Sequence, residues 1–264
     1  MEIIGYLAAI LIGVSLGLIG GGGSILTMPV LVYLFGIDPV LATSYSLFIV
    51  GTSSLVGAAR NFKGGNVNVK VAMLFGLASI ATVLITRKVL MPMVPDVLFT
   101  AGTMVVKKSM ATMVLFAVLM VFASVSMIKG RKQVDAAPEM SGSKTMMRLL
   151  IQGGAIGLVT GVLGAGGGFL LIPALVLFLQ LPMKQAVGTS LLIIAMNSLI
   201  GFAGDIGSVD IDVQLLLTVT AIAVAGIFVG VALSSKIEGG KLKKGFGWFV
   251  LVMAAYILLK EIYK

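Results

Sequence analysis

The sequence predicts an all-α, polytopic integral membrane protein made of two homologous helical halves, and three observations carry that prediction. The 264 residues are 59% hydrophobic and only 11% charged, against about 25% charged in an ordinary soluble domain. Mean hydropathy is +1.15, and long apolar stretches alternate with short charged ones, as in successive membrane-crossing helices. The second half of the chain repeats the first.

The first apolar stretch runs from Ile3 to Phe35. As one helix it would reach about 50 Å, against a hydrocarbon core of about 30 Å. Its middle reads GLIGGGGSILTMPVL at 17–31. Glycine accepts the positive φ of a sharp turn, so the run predicts two pieces, 3–19 and 25–36, forming a re-entrant hairpin or two tilted spans. Spans follow at 40–59, 66–86 and 107–128, each near the 20 or so residues that a crossing needs. Residues 1–128 form the first repeat. The polar, basic stretch 129–146, with Pro138 and Gly142, is the linker, and 147–264 form the second repeat. That repeat opens with another broken stretch, 147–163 and 169–180, and continues at 184–203, 211–233 and 244–262. The segment ITRKVLMPMVPDVLFTAGTMVV (85–106) is longer and more polar than its counterpart, so the repeat does not set the boundaries between 86 and 107.

A shift of 144 positions places GLIGGGGSILTMPVLV (17–32) on GVLGAGGGFLLIPALV (161–176) and ATSYSL (42–47) on AVGTSL (186–191). Gly57 falls on Gly201, and a two-residue deletion matches GNVNV (65–69) to GSVDI (207–211). Glycines, a proline and a serine held in register require a duplication. Loop charge gives the relative orientation. The 60–70 connection carries Arg60, Lys63 and Lys70, whereas 204–212 carries Asp205, Asp210 and Asp212 and no base. With the halves inverted, those bases share one side with the linker, Lys184 and the Lys236–Lys244 loop. With parallel halves the bias nearly vanishes, so the positive-inside rule favours inversion and a cytoplasmic linker.

Function classes narrow by elimination. The chain has no Cys and no His, which removes thiolate and Ser–His nucleophiles and most catalytic zinc sites. Its acids lie near ends or loops, so no buried carboxylate pair is available. Neither glycine run is followed by Lys-Ser/Thr in a strand–turn–helix setting, so a nucleotide loop is disfavoured. No enzyme activity, cofactor or nucleic-acid partner is expected. A net charge of +9 reads as orientation in the bilayer.

Broken helices at membrane depth are tolerable where they line a cavity. Helical pieces starting near Ser24 and Gly168 would aim unpaired N–H groups and positive dipole ends inward, making a site for an anion. The substrate-binding candidates are therefore the turns Gly20, Gly21, Gly22, Gly23 and Ser24 and Gly164, Gly166, Gly167 and Gly168. Hydroxyls of Thr43, Ser44, Ser46, Thr189 and Ser190 could donate to an anion without burying a charge. Asn197, mid-span, reads equally as helix glue or substrate contact. Arg60 reads mainly as a topology anchor, Pro29 and Pro173 as helix shapers, and Gly226-x-x-x-Gly230 as packing.

The paired motifs G-x-x-G-x-G-G-x-x-x-L-x-x-P and A-x-x-x-S-L, with a basic linker between the halves, resemble the TauE/SafE sulfite exporter family across nearly the whole chain. The resemblance implies a multi-pass inner-membrane permease that exports a small anion such as sulfite or sulfoacetate without ATP hydrolysis; the sequence leaves open whether it works as a monomer or a homo-oligomer. A passive anion channel would suit the same duplicated breaks. An intramembrane enzyme is the more distant alternative.

Overall fold

The computed structural model describes residues 2–90, 93–95, 97–101, 104–129, 143–163, 168–177, 179–205 and 211–262. The first half contains α1 (Glu2–Ile19), α2 (Gly22–Tyr33), α3 (Pro39–Lys63), α4 (Val69–Ile85) and α5 (Lys108–Lys129). The second contains α6 (Ser143–Leu163), α7 (Gly168–Leu177), α8 (Met183–Asp205), α9 (Val213–Lys236) and α10 (Gly239–Ile262). Helices α3, α4, α8, α9 and α10 are long and apolar enough to cross a membrane. The protein is a polytopic helical membrane protein.

One small departure from pure helix lies in the segment that the repeat leaves open. Helix α4 runs on into a π-helical turn at Thr86–Leu90, and an antiparallel hairpin pairs β1 (Val97–Ala101) with β2 (Met104–Lys107). Its strands, VLFTA and MVVK, are rich in β-branched and aromatic residues, which suit a pleated strand. Pro95 just before them disfavours helix for its predecessor.

Two caps correct the alignment of the halves. Asn68 caps α4, its Oδ1 accepting from Val71 N–H at 3.1 Å, and Asp212 caps α9, its Oδ1 accepting from Leu215 N–H at 3.0 Å. Asn68 and Asp212 are 144 apart, so the repeat continues without the two-residue deletion. The composition of the loops had masked this register; the shared capping geometry reveals it.

The most extensive helix interfaces among the described residues, α1–α9, α3–α8, α4–α6 and α5–α10, each join one half to the other. Helix α3 crosses its equivalent α8 antiparallel: Ser44 meets Asp205, Gly51 meets Leu199, and Gly57 meets Leu191. Helix α9 runs parallel to α3, with Asp212 beside Tyr45 and Phe228 beside Arg60. Helix α1 runs parallel to α9, Gly13 lying on Ala223 and Gly17 on Val231. On the other side α4 runs parallel to α8 and to α6, with Ser79 against both Asn197 and Gly157. Thus α1, α3 and α9 point one way, and α4, α6 and α8 the other.

Burial follows the logic of a lipid solvent. Apolar stripes spaced along single helices face outward, as in Ile4, Leu7 and Leu11 of α1 or Trp248, Val252 and Leu259 of α10. The interior holds Ser53, Ser54, Ser79, Thr189, Ser190, Asn197 and Ser198, all buried. Polar groups are placed where neighbouring helices, not acyl chains, surround them.

Candidate functional site

The first glycine run makes a hairpin. Helix α1 ends at Ile19, and Gly20 adopts φ +77°, its N–H donating to Leu16 O at 2.6 Å. Helix α2 starts at Gly22, two residues before Ser24, and folds back so that Gly23 lies against Leu16 and Ile12. Its 12 residues rise about 18 Å, too short to cross a core of about 30 Å. The capping residue Gly21 has no side chain to accept from the first-turn amides, and that end carries the positive pole of the helix dipole.

Helix α7 begins at Gly168, and the two short helices meet at their N-terminal ends. A Cβ on Gly21 would strike the carbonyl of Gly168 and sit 3.2 Å from Ile172 Cδ1. A Cβ on Gly20 would sit 2.8 Å from Ser190 Oγ and 2.9 Å from Val187 O. Ser190, fully buried, donates to Val187 O at 2.9 Å and reaches Gly20 O at 3.3 Å. Gly20, Gly21, Gly168 and Ser190 thus converge in the interior. Gly164, Gly166 and Gly167 lie outside the described residues, as does the side chain of Ser24.

The remaining candidates disperse. Thr189 Oγ1 accepts the N–H of Asn68 at 2.9 Å, tying the α3–α4 loop to α8. Thr43 lies 3.8 Å from Met28 Sδ in α2. Ser44 donates to Asp205 Oδ2 at 2.7 Å at the opposite end of α8, and Ser46 is buried in α3. Ser190 and Asp205 are separated by about 22 Å along α8 at helical rise. The hydroxyls looked like one set because they occupy equivalent positions, but antiparallel packing of α3 on α8 sends them to opposite ends. Asn197 donates to Ser79 Oγ at 2.8 Å, joining α8 to α4, while its Oδ1 has no partner.

A cavity of about 200 Å³ opens at the basic end, lined by residues that include Arg60, Asn61, Asn66, Lys184, Val187 and Ser234. Arg60 is held in place: it donates to Phe228 O at 3.3 Å, and its guanidinium sits 5.5 Å from the Phe228 ring centroid. Asn61 Nδ2 donates to Gly57 O at 2.9 Å. From sequence alone Arg60 reads as an anchor, and Asn61, Asn66, Lys184 and Ser234 have no role in the site. The only signal was the density of bases on that side, because these residues come from four separate segments. Among the described residues the site offers backbone groups, hydroxyls and two cations, a set that suits binding of an anion.

Comparison with known proteins agrees. The chain is 27% identical over 258 residues to a "Probable membrane transporter protein" of Xylella fastidiosa, covering 95% of this chain and 92% of that one. It is 27% identical over 226 residues to the "Probable membrane transporter protein YdhB" of Bacillus subtilis, covering 85% and 86%. A "Probable membrane transporter protein" of Haemophilus influenzae is 25% identical over 281 residues, covering 96% and 97%. The family model "Sulfite exporter TauE/SafE" matches residues 5–257. A duplicated, glycine-broken helical membrane protein matched over almost its full length in this way belongs to the sulfite exporter TauE/SafE family, and is a membrane transporter.

Proposed function

We propose that this transporter is a secondary permease of the inner membrane that moves small sulfur-containing anions, such as sulfite or sulfoacetate, outward by alternating access. The observation that carries the reading is the meeting of α2 and α7 at their N-terminal ends, with Gly21 on Gly168. Two positive helix ends brought together in the bilayer interior favour an anion and disfavour a cation. The family description names sulfite export, which supplies the substrate class.

The same reading takes the halves as inverted and the linker as cytoplasmic. Helices α3 and α8 are equivalents that run antiparallel, and the loops at the end bearing Arg60 and Lys184 carry the basic charge, the mark of a cytoplasmic side. The interleaving of the halves argues against a rocking of one half on the other, which would tear α1 from α9 and α4 from α6. The moving bodies are instead α1–α2–α9 and α4–α6–α7, shifting about the α3–α8 crossing.

Reconstituted vesicles loaded with sulfite or sulfoacetate test the function. Efflux well above that of empty vesicles, and accumulation against a gradient when a proton or voltage gradient is imposed, is the expected result. Purely dissipative flux would make the protein a channel, and no flux of any such anion would remove the proposal. Gly21→Ala, which drives a methyl into the Gly168 carbonyl, should abolish flux while the protein still inserts. Cysteines replacing Gly64 and Val213 should label from opposite sides; labelling from one side would refute inversion.

A further inference from the structure

We infer that the cavity at the basic end is an anion-binding site in its own right, a loading site where Arg60 and Lys184 hold a small oxyanion before it reaches the glycine turns. This rests on the anion-transport reading above. At about 200 Å³, the space holds several waters and admits a small oxyanion such as a sulfonate of two or three carbons.

Its lining is suited to an oxyanion. The bond from Arg60 to Phe228 O uses one of five guanidinium donors, and a planar fork matches a sulfonate edge as it matches phosphate. The ring of Phe228, 5.5 Å from the guanidinium carbon, restrains the fork together with the bond to Phe228 O, which lowers the ordering cost of binding. Lys184 supplies the second positive charge, and Asn61, Asn66 and Ser234 add polar groups around it.

Two further observations connect the cavity to transport. Val187 lines it, and the backbone of that residue is what a Cβ on Gly20 would meet, at 2.9 Å from the carbonyl oxygen. Val187 is therefore shared between the cavity and the first glycine turn. The second observation is the other end of the molecule. At the 144 shift, Arg60 and Asn61 correspond to Gly204 and Asp205, and Lys184 corresponds to Val40. The duplicated position has lost both cations and gained the Asp205 carboxylate, so it disfavours what the basic end attracts.

The native chain has no cysteine, so Ser234→Cys gives a single reporter in the cavity wall. Sulfoacetate should slow its labelling by a membrane-impermeant maleimide about fivefold when present at about four times its dissociation constant. Chloride at equal ionic strength should not. Adding Arg60→Gln or Lys184→Gln should abolish protection while leaving labelling without anion unchanged. Should the reporter variant fail to fold, thermal unfolding of the otherwise native protein with sulfoacetate gives the same answer: a rise in midpoint that both single variants lose. Equal protection in the Arg60→Gln and Lys184→Gln proteins would overturn the site. So would absence of protection in a protein whose vesicles transport sulfoacetate. Protection without any vesicle flux would support the site and defeat the transport reading alone.

Discussion

The α1–α9 and α4–α6 interfaces are equivalents under the repeat, yet they are packed differently at one end. Gly13 and Gly17 of α1 correspond to Gly157 and Gly161 of α6. The facing residues, Gly226 and Gly230 of α9, correspond to Thr82 and Thr86 of α4. At α1–α9, glycine therefore meets glycine: a Cβ on Gly230 would strike Val14 O and lie 2.9 Å from the Cα of Gly17. At the place in α4–α6 equivalent to Gly17 and Gly230, glycine meets side chain: a Cβ on Gly161 would lie 2.6 Å from Thr86 Cβ and 2.9 Å from its Cγ2. Lipid offers little hydrophobic drive for helices to associate, so contact quality decides the interface. The first is a rigid backbone-on-backbone seam. The second is backbone-on-backbone where Gly153 lies on Phe75 and Gly157 on Ser79, and changes to side-chain contact only at Gly161, where α4 passes into its π-helical turn at Thr86.

Substitutions can break this contrast or sharpen it. The largest effect is expected from importing the second interface's residue into the first. Gly230→Thr must push two backbones apart, and should cost about 3 kcal/mol or more, read as loss of the monodisperse folded protein in detergent. Gly161→Ala should cost less, about 1–2 kcal/mol, because it adds one methyl against a single side chain at the end of α4 and not a branched side chain between two backbones. Thr86→Gly added to it should restore part of the unfolding midpoint by making the interface glycine on small residue. Equal losses for Gly230→Thr and Gly161→Ala would show that the two seams are not distinct. Smaller again is Asn197→Ala, which removes the tie to Ser79 and should cost about 1 kcal/mol, measured as the same midpoint. Last is Thr86→Ala. The Thr86 hydroxyl is buried without a partner, so its removal should leave stability unchanged or slightly raised.

Much of this architecture could be read before any coordinates. The described helices start and stop close to the apolar segments, and the broken pair is a hairpin because Gly20 takes the positive φ that a run of glycines permits. Gly226 and Gly230 pack as read. What sequence could not supply was partnership. Nothing local to Gly13 names Ala223 as its neighbour, and nothing in Arg60 or Lys184, 124 positions apart, places them on one cavity. The candidate hydroxyls were grouped by equivalence, and the fold separated Ser44 from Ser190 because equivalent helices cross head to tail. The Asn68 and Asp212 caps were obscured for a simpler reason: amide and carboxylate serve equally as helix caps, so the repeat kept the function while changing the letter.

The joining of α1 to α9 also bears on how the protein is made. When α1 leaves the ribosome its glycine seam has nothing to close on until α9 follows, and the chain from Ile19 to Val213 takes about 10 to 40 s to synthesise at cellular rates. During that interval small-residue faces stand against lipid, open to other small-residue helices and to membrane proteases. A nascent chain arrested in the linker would be an orphan, not a half-sized transporter, and supplying residues 143–264 from a second message should rescue it.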